Sequence, residues 1–541
     1  MLLKKKSGLL NSHILHLAFS LVGTVDSGRE TTVIPNMTAF EDLLCTLEVW
    51  RDAPGDLHKS LYEHFYELIT ESSEQKANLR ILRDLEMVTK VLMMLRDPYL
   101  SPSTIRLLCN LLKTLLQNTN RNGDILRFGQ FVVSTLPNSM VSEKPLNLKR
   151  DLEASENAPP MDETALLIHH VCLRNRCLHI LHLMTYHGSK NVNVPFCEEI
   201  ARVLGMDWLM LFMQSHLHPT TVVLALQCLT VFLSCPSLMQ RFREASHNGG
   251  WLTETDLVLQ NRTTVLLGFN VSTANNKGSG SQSIRIEAYQ VPGFQQLQWL
   301  MCQHVTVPDI FFLLLAMLMG RPVSRIPCGL QFSLDNIWTF LFGKPPGHCV
   351  MALGDINIEL VVVLLAMVRC ILSQPRAENM TGVDDHPVVL IQFLMYLYNN
   401  RLDFMNMCMS SDILCALAAT LFPFANGLSE VASPADDFQI ISNPKGSESN
   451  AGLSKHAARK YIMNFLRVIV VDSLSLAFPT KQAPVIDLVL EAFPSHATLS
   501  QQKEYVTEIL SSLREHLLAA DVLLDDQAAL PITAGGKYSN I

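Results

Sequence analysis

The ten residues Ile310–Met319, IFFLLLAMLM, contain no polar side chain. A run of that length falls well short of the roughly 20 apolar residues needed to cross a bilayer, so it predicts a helix that the rest of the chain must cover on most sides. The surrounding stretch from Val307 to Phe342 carries no catalytic group, and its requirement is packing rather than chemistry. A chain of 541 residues is too long for one compact core, which leaves several domains or an extended stack of helices. Hydrophobic residues make up 48% and charged residues 17%, a balance suited to wide burial between helices and opposed to wholesale disorder.

Charge narrows the partners. The net charge is -8, and no Lys or Arg run exceeds Lys4–Lys6, so no basic stripe is available to a phosphate backbone and nucleic acid is not an expected partner. The 13 cysteines sit singly in apolar segments, such as Cys109 in IRLLCNLL, Cys228 in LALQCLTVF and Cys415 in ILCALAA, where thiols act as small core hydrophobes and point to a reducing compartment. Sequons at Asn36, Asn261, Asn270 and Asn379 are about as many as chance supplies in a chain of this composition. Lys4–Lys6 followed by ILHLAFSLVG imitates a secretion signal, but His13 and His16 interrupt the apolar region and no small-x-small cleavage site follows. The segment is expected instead to be a helix packing Leu10, Ile14, Leu17 and Leu21 against its neighbour.

Helical patterns then recur along the chain. Ala39–Trp50, Leu57–Thr70 and Glu74–Arg96 each read as amphipathic helices, the last ending at Asp97-Pro98. Ser101-Pro102 gives an N-cap followed by proline at the first helical position, and Ile105, Leu108, Cys109, Leu112, Leu115 and Leu116 form one stripe. Polar 138–164, with Pro159-Pro160, reads as a linker, and helices resume from Ala165. Between Thr263 and Val291 two β-prone stretches flank the polar ANNKGSGSQ, which predicts an inserted hairpin. The map is helical over 1–137, a linker at 138–164, helical over 165–248, a hairpin-bearing insertion at 249–292, helical over 293–426, a polar loop at 427–454, helical over 455–525 and a tail at 526–541. The class is all-α, an armadillo- or HEAT-like α-solenoid with a small β-hairpin insertion.

Three constellations tempt a chemical reading. His169, His170, Cys172, Cys177, His179, His182 and His187 are dense enough to suggest zinc, but on one helix they do not converge tetrahedrally and no CxxC or HExxH spacing occurs. There is no GxSxG elbow, phosphate-cradling glycine loop or paired-carboxylate motif in a recognisable context, so an enzyme is not expected and no cofactor or metal is assigned. Asp436, Asp437, Phe438 and Ile441 have the form of a short motif that adds a strand to a partner's sheet and fills two pockets, as LC3-interacting motifs do. The same residues also suit a capped helical turn, with Ser433, Pro434 and Asp436 in N-terminal positions.

The strings GGWLTETDLVLQNRTTVLLGFNVST (249–273), LDNIWTFLFGKPP (334–346), SDILCALAATLFPF (411–424), KQAPVIDLVLEAFP (481–494) and HLLAADVLLDDQAALPITAGG (516–536) closely resemble the large BEACH proteins that carry WD repeats and a FYVE domain. The resemblance runs from about Leu204 onward and is to the helical region upstream of that family's BEACH, WD-repeat and FYVE modules, which lie outside this sequence. It implies a cytoplasmic scaffold acting in autophagy or vesicle traffic near endosomal or autophagic membranes, with protein partners. The segment LSKHAARKYIMNFLRVIVVDSLSL (453–476) leans toward the family's immune-cell branch, associated with antigen cross-presentation. Lipid-binding residues of the family fall in modules outside this sequence, so none is carried over. The alternative is a peripheral-membrane trafficking adaptor unrelated to autophagy. Val506, Ile509, Leu510, Leu513, Leu517 and Leu518 form an apolar stripe near residue 541, which creates the expectation that further helices cover that end in a longer product.

Overall fold

The structure, a computed structural model, describes residues 9–23, 34–53, 57–117, 122–148, 163–187, 191–244, 291–327, 329–343, 355–373, 383, 385–423, 452–475, 484–494 and 497–528, with side chains as far as 519. The described residues are overwhelmingly helical, with one two-stranded pair, so the fold is all-α and solenoid-like. The chain divides into two compact units: Met1–Thr253 with Pro322–Ile326, and Glu254–Arg321 with Pro327–Ile541.

The first unit contains α1 (Ser12–Val22), α2 (Leu57–Thr70), α3 (Gln75–Asp84), α4 (Met87–Met94), α5 (Pro102–Leu116), α6 (Asn122–Val133), α7 (Glu163–Met184), α8 (Val194–Val203), α9 (Pro219–Leu233) and α10 (Pro236–Glu244). They form two rows: α2 packs on α5, α5 on α7 and α7 on α9, while α4 packs on α6 and α6 on α8. Neighbour-to-neighbour packing of this kind is what stacked helix pairs require. Helix α5 starts where its sequence dictates, with the Ser101 hydroxyl accepting from the Thr104 amide at 3.2 Å and Pro102 in the first turn. Its stripe of Ile105, Leu108, Cys109, Leu112, Leu115 and Leu116 is buried, each large aliphatic residue being worth about 2 kcal/mol relative to exposure. Gly129 of α6 is a close-approach glycine, since a Cβ there would lie 2.4 Å from Leu204 Cδ2.

Several expectations are corrected in this unit. Helix α1 buries Leu15, Ala18, Phe19 and Val22 and leaves Leu17 and Leu21 exposed, because Phe19 stacks on His64 of α2 with ring centroids 4.0 Å apart. The expected helix Ala39–Trp50 is broken into a wide turn at Phe40–Leu44 and a short helix at Leu47–Arg51. Glu74–Arg96 is two helices, α3 and α4, separated at Glu86, whose φ of 53° puts a non-glycine residue in the left-handed region. The two strands, β1 (Tyr186–His187) and β2 (Asn191–Val192), pair antiparallel between α7 and α8, away from the insertion where a hairpin was expected. That expected hairpin, within 249–292, lies outside the described residues.

The second unit contains α11 (Pro292–Cys302), α12 (Pro308–Leu318), α13 (Leu334–Phe342), α14 (Glu359–Leu372), α15 (His386–Asn400), α16 (Leu402–Cys408), α17 (Ser411–Ala419), α18 (Ala458–Ser475), α19 (Val485–Glu491) and α20 (Leu499–Ala528). Here too there are two rows: α11 and α12 on α14, α14 on α17 and α17 on α19; and α13 on α15, α15 on α18 and α18 on α20. Ile310–Leu318 of α12 is buried all round, as its uninterrupted apolar sequence demands. Aromatic rings fill the space beside it: Phe311 and Phe332 pack against His386 at 5.2 and 4.9 Å, and Trp338 meets Tyr396 at 4.4 Å. In α20, Tyr505, Ile509 and Leu513 are buried, while Leu510, Leu517 and Leu518 are exposed. The stripe expected there is therefore two faces, and the Tyr505 hydroxyl donates to the Val489 carbonyl at 2.8 Å to fix which one turns inward.

Candidate functional site

The most concentrated polar chemistry in the first unit surrounds Arg174. Val171, Arg174, Leu178 and Leu181 fall on one face of α7, so helical spacing carries the guanidinium into the core along with its apolar neighbours, and Arg174 is fully buried. A buried cation needs a partner and full hydrogen bonding. Arg174 Nη2 donates to Glu143 Oε2 at 2.5 Å, Nη1 donates to the Thr135 carbonyl at 2.9 Å, and Nε and Nη2 reach Thr221 Oγ1 at 3.4 and 3.3 Å. Thr221 donates onward to Asn175 Oδ1 at 2.7 Å, whose Nδ2 donates to Thr220 Oγ1 at 2.8 Å.

Glu143 is equally buried and is held from the main chain: its amide donates to the His216 carbonyl at 2.8 Å and its Oε2 accepts from the His218 amide at 3.1 Å. Its second oxygen, Oε1, is buried without a hydrogen-bond partner. His218 closes the network, with Nδ1 at 2.7 Å from Thr220 Oγ1 and Nε2 at 3.2 Å from the Leu146 carbonyl. Part of the segment expected as a linker, residues 138–148, is thus tied to α7 and to the start of α9.

Burial dominates the electrostatics. It pulls the Arg174 guanidinium below its ordinary value while Glu143 pushes it back up, and it lowers His170, His216 and His218 from the ordinary histidine range. Cys172, the half-buried thiol nearby, is raised by burial, which keeps it protonated and unreactive. The cluster offers a cation held by a carboxylate, a carbonyl and a hydroxyl. That arrangement fixes helices and a connecting segment in place.

The histidine and cysteine cluster that suggested zinc is dispersed around α7. His169 bonds the main chain at Leu95, and His170 lies beside Arg174 and Glu143. Cys177 is buried next to Cys109, His179 is near Lys113, and His182 Nε2 lies 2.9 Å from the Val323 carbonyl. His187 is exposed on β1. Among the described residues, no group of three or more His, Cys, Asp or Glu side chains is placed to hold a metal ion. Asp436, Asp437, Phe438 and Ile441 lie outside the described residues. No single described helix is long and apolar enough to cross a membrane; two bent pairs, α9 with α10 at 113° and α16 with α17 at 70°, pass only when joined.

Sequence reasoning missed Glu143 and Arg174. The signal for Arg174 was present, a lone cation on the apolar stripe of α7, whereas nothing in the polar run around Glu143 distinguishes it from its neighbours.

Comparison with known proteins gives a family context. The chain is 29% identical over 523 residues to human WD repeat- and FYVE domain-containing protein 4, and 26% identical over 524 residues to the mouse protein of the same name. These alignments cover 95% and 94% of this chain and 16% of each relative, so the chain spans about a sixth of the length of the curated proteins it matches. No protein-family model and no solved structure matches it.

Proposed function

We propose that this chain, a relative over 95% of its length of WD repeat- and FYVE domain-containing protein 4, is a non-enzymatic helical scaffold that holds protein partners in autophagy or vesicle traffic. The observation that carries the reading is the extent of the match: covering 95% of the chain, it takes in both helical units rather than one motif. The use of polar side chains supports it further. Arg174, Glu143, Thr221 and His218 are committed to joining helices, which is the economy of a scaffold rather than of a catalyst. The proposed setting is the cytoplasm beside endosomal or autophagic membranes, with antigen cross-presentation as the process if the chain acts as an immune-cell member of the family.

Partner capture tests this directly. The full chain, with and without Phe438→Ala and Ile441→Ala, is used as bait, and a peptide from Ser433 to Asn443 is titrated against an LC3-type protein. Micromolar peptide binding lost in the double variant, with autophagy or endosomal components retained by the intact chain, supports the scaffold and its motif together. Equal binding by the double variant removes the motif, and failure of the intact chain to retain any trafficking component removes the function.

A further inference from the structure

Helix α1 carries large apolar residues on opposite sides, and the first unit buries only one of them. Leu15, Ala18, Phe19 and Val22 turn inward, where the helix packs on α2 and on the wide turn at Phe40–Leu44. On the other side Leu17 and Leu21, one helical turn apart, are 58% and 59% exposed, and Leu9, just before the helix, is 67% exposed. His13, His16 and Ser20 are exposed as well. Single leucines in water are ordinary on a protein surface, whereas adjacent ones on a helix already anchored by its other side mark a contact surface. The helix has 11 residues and is about 16 Å long, half of the roughly 30 Å of a hydrocarbon core, so it can lie on a bilayer but not cross one.

Charge selects the occupant. No Asp or Glu occurs among residues 1–25, and Lys4, Lys5 and Lys6 stand just ahead of Leu9. Three residues of chain reach at most about 11 Å, so Lys6 stays close to Leu9 whatever path the backbone takes. The exposed acids Glu41 and Asp42 belong to the turn on which the inner side of α1 packs. Leucines beside tethered ammonium groups complement a surface that is apolar within and anionic at its face, which is the chemistry of an acidic lipid layer. A second copy of the chain would bring the same three cations and be repelled. Helix α20 supplies an internal control: Leu510, Leu517 and Leu518 are exposed there too, but between Leu499 and Ala519 three glutamates stand against Lys503 and Arg514.

We propose that the outer side of α1, together with Lys4–Lys6, docks on an anionic lipid surface. Leu17 and Leu21 enter the boundary between headgroups and acyl chains, the lysines meet lipid phosphates and carboxylates, and the helix lies in the plane of the membrane while its inner side stays packed on α2. This goes beyond the scaffold reading and does not rest on it, because the ligand is lipid and protein capture is measured separately.

The test is sedimentation of the full chain with vesicles of phosphatidylcholine alone, or with about a third of it replaced by phosphatidylserine. Binding to the anionic vesicles, weakened by added salt, and little binding to the neutral ones is the expected result. Leu17→Ser and Leu21→Ser, at positions already in water, should each lower the affinity about ten-fold, and replacing Lys4, Lys5 and Lys6 together by serine should lower it about 100-fold. Leu517→Ser with Leu518→Ser should leave it unchanged. Binding that survives loss of either the α1 leucines or the lysines, or that is equal on neutral vesicles, overturns the proposal. So does a chain that ignores both vesicles, or one that self-associates through the α1 leucines, since a second copy would then cover that side.

Discussion

Among the described residues each unit buries one arginine completely, and the contacts seen for the two differ in charge. Arg174 in the first unit faces a carboxylate, Glu143, supplied by the segment between α6 and α7. Arg369 in the second, on α14, donates its Nε to the main-chain carbonyl of Phe422, just past α17, at 3.0 Å. Both arginines fasten irregular chain to a helix. A carboxylate does so as an ion, so the arrangement holds only while both charges are present; a carbonyl is neutral and loses much less when its donor goes. The comparison teaches that a helical stack can tie irregular chain through a side-chain carboxylate or through a main-chain carbonyl, and that the carboxylate contact is the more sensitive to substitution.

The largest expected effect follows from that. Arg174→Met and Glu143→Leu each strand a buried charge and should each cost about 3–5 kcal/mol of unfolding free energy, whereas the double substitution should recover most of the loss. Arg369→Met, which frees the Phe422 carbonyl, should cost about 1–3 kcal/mol. Denaturant unfolding of the four variants measures this. An Arg369→Met loss equal to that of Arg174→Met, or a double variant no better than its singles, would erase the distinction between the two units.

Acid is the next probe, because each unit also has a histidine packed on aromatic rings that burial lowers far below its ordinary value. His64 in α2 and His386 in α15 are each lowered by burial to about 4. Their folded values lie below the unfolded value near 6.5, so the unfolded chain binds the extra proton first. Stability is fully present above about pH 6.5 and is lost as pH falls toward 4, at up to about 3 kcal/mol per histidine. His64→Phe should flatten the pH dependence of the first unit and His386→Phe that of the second, as read by hydrogen exchange at pH 7 and pH 5. An unchanged slope in the matching unit would show that other groups carry the acid response.

How much of this was legible follows from which interactions are local. Leu57–Thr70, Pro102–Leu116 and Leu334–Phe342 follow from period, cap and proline within their own sequences, and the structure places them accordingly. The breaks at Phe40 and Glu86 do not, since apolar spacing continues across them and only tertiary packing favours the interruption. On α1, Leu17 and Leu21 satisfied the helical pattern as well as Leu15 and Phe19, and the choice of face was made by a ring 45 residues downstream, His64 against Phe19. Glu143 was illegible for the same reason: its partners Arg174 and His218 are remote in sequence, and a polar run gives no sign of which member turns inward.

A smaller effect is expected at two buried asparagines that repeat the comparison with neutral groups. Asn78 accepts from the Ile34 amide at 3.2 Å and donates to the Leu68 carbonyl at 3.0 Å, and Asn357 donates to the Met317 carbonyl at 2.7 Å. Asn78→Leu strands groups of two different segments and should cost about 2–3 kcal/mol, against about 1–2 for Asn357→Leu, where the Met317 carbonyl alone is left. Equal losses would mean that the number of tied segments does not set the cost.

The smallest effect concerns the caps, where the two units are most alike. Ser101 and Ser333 both precede a helix in extended backbone and accept from the amide three residues on, at 3.2 Å for α5 and 3.3 Å for α13. Replacing either by alanine leaves that amide to water and should cost about 1 kcal/mol. The surroundings then separate them. Ser101 also shares hydroxyl hydrogen bonds with Ser103 at 2.9 Å and with buried Thr104 at 2.8 Å, and Pro102 fixes its first turn, so the helix start stays ordered while the Thr104 hydroxyl loses a partner. Helix α13 lacks the proline but has Asp335 in its first turn, a charge that favours the helix start without the cap. Ser101→Ala should therefore cost the more of the two, by a few tenths of a kcal/mol, with amide exchange accelerating at Thr104 and Asn336 respectively and little elsewhere in α5 or α13. Exchange that spreads through a whole helix after loss of its cap would show that the serine, rather than lateral packing on α2 or α15, holds it in place.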